Sequence, residues 1–219
     1  MIKPRRCKST GHKMDTKCRL GRTYADYKAF IEANPSTPAV GMGTVTGRVG
    51  GKCPLTLQFA GTGFMPAFLR GRNDAQSVTD AFGNLWMLAG AQPFRRLFPA
   101  LLTDNGNEFP NPLALETAPD ATPRTRVFHC GPCASWQKAH VERNHERLRL
   151  IRPKGSSFDG LTRENINTAR SHINSYTRPA LNDNAPFDLF AFIDGAEIPG
   201  KLGIARTPAN DILLKPPLP

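Results

Sequence analysis

Ala100-Leu101-Leu102-Thr103-Asp104 is a short apolar stretch that ends in an acid and runs into the turn pair Asn105-Gly106. A strand with apolar residues at consecutive positions has no polar face to offer to water, so it belongs in the middle of a sheet covered on both sides. Asp104 is then expected where that strand leaves the core, at the sheet edge where ligands gather in α/β proteins.

The flanking patterns supply the rest of such a sheet. Thr44–Thr46 is β-prone, Leu55, Leu57 and Phe59 alternate with Thr56 and Gln58, and 64–69 is apolar on both faces, which predicts three consecutive antiparallel strands. Val78, Phe82, Leu85 and Leu88 recur at helical spacing within 74–89. A short helix over 112–117, a strand over 124–129, a charged helix over 135–151 carrying Glu142, and a helix marked by Ile166, Ala169, Ile173 and Tyr176 follow. Beyond Pro179 the chain is rich in Pro, Asn and Asp with one apolar patch, 187–193, and reads as an irregular tail docked on the core. The expected division is a basic arm over 1–38, an α/β core over 39–178 and the tail over 179–219.

With 219 residues, 39% hydrophobic and 21% charged, the chain can bury one sizeable core. Its formal net charge of +11 and pI of about 9.9 make a polyanion the first partner to consider. Lys3, Arg5, Arg6, Lys8, Lys13, Lys17, Arg19 and Arg22 face a single acid, Asp15, in the first 22 residues. Such an arm suits salt-dependent phosphate contacts, and a merely solvated tail would have the same composition. No stretch is long and apolar enough for a membrane span, and the basic N-terminus lacks the apolar core of a signal peptide, so a cytoplasmic protein is expected. Five cysteines, Cys7, Cys18, Cys53, Cys130 and Cys133, are an odd number in a chain that needs no disulfide framework, and free thiols are expected.

Asp104 at a strand end and Glu142 on a later helix could meet at one sheet edge. Carboxylate oxygens there would suit Mg2+ or Mn2+, and two such ions can clamp the attacking and leaving oxygens of a phosphodiester. Taken singly, Asp-Asn-Gly is more often only a turn, and a Glu on a charged helix more often a solvated residue.

Several segments together resemble the insertion-sequence-thirty family of transposases. They are Thr103-Asp104-Asn105-Gly106-Asn107-Glu108-Phe109, Ala134 through Glu146, Arg152-Pro153-Lys154-Gly155 with Phe158, Ser171 through Tyr176, and Pro186 through Phe190, with weaker matches at Gly21-Arg22-Thr23-Tyr24 and Thr44-Val45-Thr46-Gly47. The resemblance implies a ribonuclease-H-like, retroviral-integrase-like core with a mixed five-stranded sheet flanked by helices. It also implies an Asp-Asp-Glu triad on two divalent metals, and cutting and joining of DNA at transposon ends and target in a bacterial, nucleoid-associated protein able to form a homo-oligomer. On that pattern Asp104 is the second Asp, Glu142 the Glu, and Glu108 a supporting residue. Lys138, Arg143, Asn144 and His145 would line the DNA side of the same helix.

The sequence departs from the family pattern where it matters most. The first Asp falls in a segment resembling Val40-Gly41-Met42-Gly43-Thr44-Val45, and Gly43 holds its place; Gly41 and Gly131 also replace acids. Without the bridging carboxylate, metal binding should weaken and most of the metal-derived rate should go. The family's upstream helix-turn-helix region is not in this sequence either. The expectation is therefore a truncated, degenerate copy of a DNA transposase catalytic domain, or a remnant that binds DNA without catalysis. A third reading rests on Cys130-Gly131-Pro132-Cys133, letter for letter the motif of thioredoxins. It would require a lowered thiol pKa, and His129 stands where thioredoxins carry Trp.

Overall fold

The computed structural model describes residues 16–132, 134–216 and 218. Five strands form one sheet in the order β3-β2-β1-β4-β5: β1 (Val40–Thr44), β2 (Cys53–Phe59), β3 (Ala67–Arg70), β4 (Ala100–Thr103) and β5 (Arg126–His129). Strands β1, β2 and β3 pair antiparallel, whereas β1–β4 and β4–β5 pair parallel. This mixed sheet with helices on both faces is the α/β, ribonuclease-H-like arrangement expected from the sequence. Long connections join the two parallel pairs, as parallel pairing demands.

Side chains of β4 divide between the faces. Leu101 joins the main core with Val40, Met42, Leu55, Leu57 and Val127, which α2 (Ala75–Ala89), α3 (Ala91–Leu97) and α4 (Pro112–Glu116) cover. Ala100 and Leu102 point the other way, to Phe128 and Cys130, where Tyr24, Tyr27 and Phe30 of α1 (Tyr24–Ala33) pack. On that second face α5 (Ala139–Ile151) and α6 (Arg163–Ser175) cover the remaining strands through Leu148, Ile151, Ile166, Ala169 and Ile173. The consecutive apolar run of β4 thus has its physical cause: both of its faces are buried.

Several elements differ from the sequence expectation. The first strand is 40–44 rather than 44–46, since ladders to β2 and β4 hold Gly41 and Gly43 extended despite their poor strand propensity. Helix α1 lies within the stretch read as a basic arm. Thr23 and Asp26 form a reciprocal capping box at its start, and the Arg22 guanidinium grips both carboxylate oxygens of Glu116, at 3.0 and 2.6 Å. Helix α3 was not anticipated; Gly90, at φ 84°, makes the sharp break between α2 and α3 that a side chain would resist. The segment read as an irregular tail holds α7 (Pro186–Asp194) and α8 (Glu197–Lys201), and Phe190, Ile198, Leu202 and Ile204 complete the main core. The predicted helix over 135–151 begins as a 3-10 turn, Ser135–Lys138, before α5.

A candidate acid site closed by a lysine

Asp104 stands immediately after β4, as its position in the run requires. Its Oδ1 accepts the Gly106 N–H at 3.0 Å, an Asx turn that fixes the carboxylate. Asn105 Nδ2 donates to the Cys130 carbonyl at 3.0 Å, and Cys130 N–H donates to the Thr103 carbonyl at 2.8 Å, so the ends of β4 and β5 are tied together. Glu108 is buried, and a Cβ at Gly106 would overlap its Oε2 while lying 3.1 Å from Asp104 Oδ1. Gly106 therefore leaves the room in which the two carboxylates approach each other.

The third participant is a cation. Lys138 Nζ lies 2.6 Å from Asp104 Oδ2 and 3.4 Å from the Met42 carbonyl. Its side chain is only 3% exposed, against 46% for Asp104. Lys138 is the N-cap of α5 at φ −129°, ψ 41°, outside helical backbone geometry, and its side chain crosses the helix start to reach the end of β4. At about 100° per residue, Lys138, Val141 and His145 then share the inward side of the helix.

What they face is β1. Gly41 and Gly43 point to α5, and Val141 sits against both: a Cβ at Gly41 would overlap its Cγ2 methyl, and one at Gly43 would lie 3.3 Å from Cγ1. A Cβ at Gly43 would also stand 3.1 Å from His145 Cε1 and 3.2 Å from Lys138 Nζ. The absent side chains are thus a groove into which α5 settles. Thr56, across the ladder from Gly43, donates its hydroxyl proton to the Gly43 carbonyl at 3.0 Å, which leaves His145 Nε2, 2.7 Å away, to act as the donor. The ring is therefore the neutral Nε2–H tautomer. Burial, reinforced by the Lys138 charge, pushes the His145 pKa down to about 4.

The expected site residues differ in exposure and in contacts. Asp104, Glu108, Gly43, Lys138 and His145 meet at one end of the sheet. Glu142 is exposed on α5 and makes no hydrogen bond or ion pair among the described residues, although it and Asp104 both lie close enough to Cys130 to raise its pKa. Of the four side chains expected on the DNA side of the helix, Arg143 is exposed, but Lys138 and His145 face β1. Asn144 is fully buried, with Nδ2 donating to the Gly63 carbonyl at 3.2 Å and Oδ1 accepting from Arg147. The helical period forbids all four from sharing one face. Lys3, Arg5 and Arg6 lie outside the described residues. Cys130 is buried, and burial first, then the nearby Asp104 and Glu142, pushes its thiol up to about 11, the reverse of the lowered pKa that the redox reading requires; Cys133 also lies outside the described residues.

The donor set does not fit the pair of divalent ions expected from the sequence. Asp104 Oδ2 already receives an ammonium and Oδ1 an N–H, and Gly43 brings no side-chain oxygen. Among the described residues no group of three or more His, Cys, Asp or Glu is placed to hold a metal. The burial of Lys138 and Asn144 had one signal in the sequence: each stands three residues, about one helical turn, from Val141 on the apolar stripe of α5.

No protein-family model matches the chain, and no curated protein matches it. Among solved structures, the crystal structure of the catalytic core domain of BIV integrase aligns with 71% of this chain and 95% of its own, at 12% identity and a TM-score of 0.45.

Proposed function

We propose that this chain is a DNA transposase core of the insertion-sequence-thirty kind that binds DNA but no longer cuts it. The observation that carries the reading is the Lys138–Asp104 ion pair beside Gly43. In an intact centre, metal cations would neutralise the acid cluster and the reacting phosphate. Here a side-chain ammonium neutralises Asp104 at the strand end, and helix α5 occupies the space where a first carboxylate would project. The net charge of +11 and the exposed Arg143 favour a polyanionic partner for the surface around it. Among the described residues no helix is long and apolar enough to cross a membrane.

The test is a labelled 30-bp duplex titrated by fluorescence anisotropy at low and high salt, together with strand cleavage in Mg2+ or Mn2+. Binding that falls by roughly two orders of magnitude or more between 50 and 200 mM salt, with no cleavage, is expected. Gly43→Asp should remain inactive, because its carboxylate would meet the Lys138 ammonium rather than a metal. Salt-independent binding, or cleavage by the native chain, would overturn the reading.

A further inference from the structure

A cavity of about 300 Å³ opens between β3, α2, α6 and α8, on the side of the molecule bounded by the edge strand rather than at Asp104. Its wall is apolar through Phe68, Leu85 and Ile166, yet Arg70, Arg163, Arg170 and Lys201 line it against a single carboxylate, Asp80. Arg170 is 3% exposed, and among the described residues every hydrogen bond it makes goes to a neutral oxygen: the Ala67 carbonyl at 2.6 Å, Asn167 Oδ1 and the Leu202 carbonyl. Arg70, about as buried, donates to the Asp74 carbonyl, Ser77 Oγ, Thr44 Oγ1 and Asn73 Oδ1, and the Glu108 and Asp74 carboxylates lie near enough to act on its charge. The Nε of each has no hydrogen-bond partner among the described residues.

Buried charges are normally paired, because leaving one unpaired forfeits its hydration with no return. Arg170 also clamps the outer edge of β3 to α6 and to the C-terminal segment, but bonds to neutral oxygens leave its charge without a counter-ion. Beyond the Phe68 ring, 5.9 Å from the guanidinium carbon, nothing among the described residues answers that charge. Arg163, exposed on α6, makes no ion pair among the described residues and adds to the repulsion that Arg170 feels, while Lys201 is held only by an exposed partner, Glu197, at 2.6 Å. From the buried guanidiniums, the cations on the lining and the apolar wall, we infer that this cavity binds a small organic anion: an oxyanion seated between Arg163 and Lys201 in front of Arg170, with an apolar body against Leu85 and Ile166. The size matches the lower end of small-molecule sites, and the mix of apolar walls with a few convergent polar groups is their usual composition. This site is separate from the DNA reading and stands or falls without it.

The experiment uses the full chain and two fluorescent probes of similar size, the anionic 8-anilinonaphthalene-1-sulfonate and the neutral N-phenyl-1-naphthylamine. The sulfonate should bind one-to-one, and the Arg163→Gln/Lys201→Gln double variant, altered only at exposed positions, should bind it about tenfold more weakly. The neutral probe should be unaffected by the same change. Unchanged sulfonate affinity in the double variant overturns the proposal, as does an equal loss for the neutral probe. Displacement of the sulfonate by a short DNA duplex whose own affinity falls in the double variant would reassign these cations to a DNA-binding surface, which also overturns it.

Discussion

Asp104→Ala and Lys138→Met break the same ion pair from opposite sides, and the structure makes their costs unequal. Removing Asp104 strands an ammonium whose side chain is 3% exposed and whose other contact is the Met42 carbonyl at 3.4 Å. An uncompensated buried charge of this kind costs about 3–5 kcal/mol, and the lower end applies because Asp104 itself is half-exposed and its loss admits water. Removing Lys138 leaves a carboxylate that keeps the Gly106 N–H and rehydrates, while methionine fills the path of the lysine stem, so the cost is that of a surface pair, about 0–1 kcal/mol. The double variant has no stranded charge and should cost about as little as Lys138→Met, which puts the coupling near 3 kcal/mol, the full cost of Asp104→Ala. Urea unfolding reads this directly: at an unchanged slope of roughly 3 kcal/mol/M, Asp104→Ala lowers the midpoint by about 1 M and the double variant recovers most of it. Equal costs for the two single variants, or a double variant whose loss is their sum, would show that the lysine is not the buried partner.

The packing of α5 on the two glycines gives a second cycle. Gly41→Ala should cost about 1–3 kcal/mol through overlap with the Val141 methyl, and Val141→Ala about 2 kcal/mol through lost burial, but together they should cost at least about 1 kcal/mol less than the sum. Additive melting-point losses would refute the close approach. His145 supplies a pH dependence. Its pKa is held near 4 in the folded protein against 6.5 unfolded, so above pH 6.5 the neutral ring costs nothing, and as pH falls toward 4 the unfolded chain takes up the proton first and stability drains away, by up to about 3 kcal/mol. Thermal melts of native protein and His145→Gln between pH 4.5 and 7 should diverge over that window, and parallel curves would contradict the assignment.

Periodicity and local chemistry carried much of the fold. Leu55, Leu57 and Phe59, the helical row from Val78 to Leu85, and the apolar run before Asp104 each encode an element within a few residues, because side-chain period and backbone period are coupled locally. Helix α1 was missed although its capping box, Thr23 with Asp26, was in plain sequence; its weight of polar and basic neighbours masked the aromatic row of Tyr24, Tyr27 and Phe30. The C-terminal helices were obscured by Pro, Asn and Asp, and their core residues are apolar for a sheet that lies a hundred positions away.

What the chain determined alone is therefore the kind of sheet, the placement of Asp104 at the end of its strand, the positive charge, and the glycines of the first strand. Only the folded arrangement decided what faces Asp104 and those glycines. A lysine 34 positions after Asp104 could neutralise it or reach solvent, and Gly41 and Gly43 could loosen a strand or admit a helix. Which alternative holds depends on the distance between β1 and α5, a long-range packing quantity that no local pattern contains.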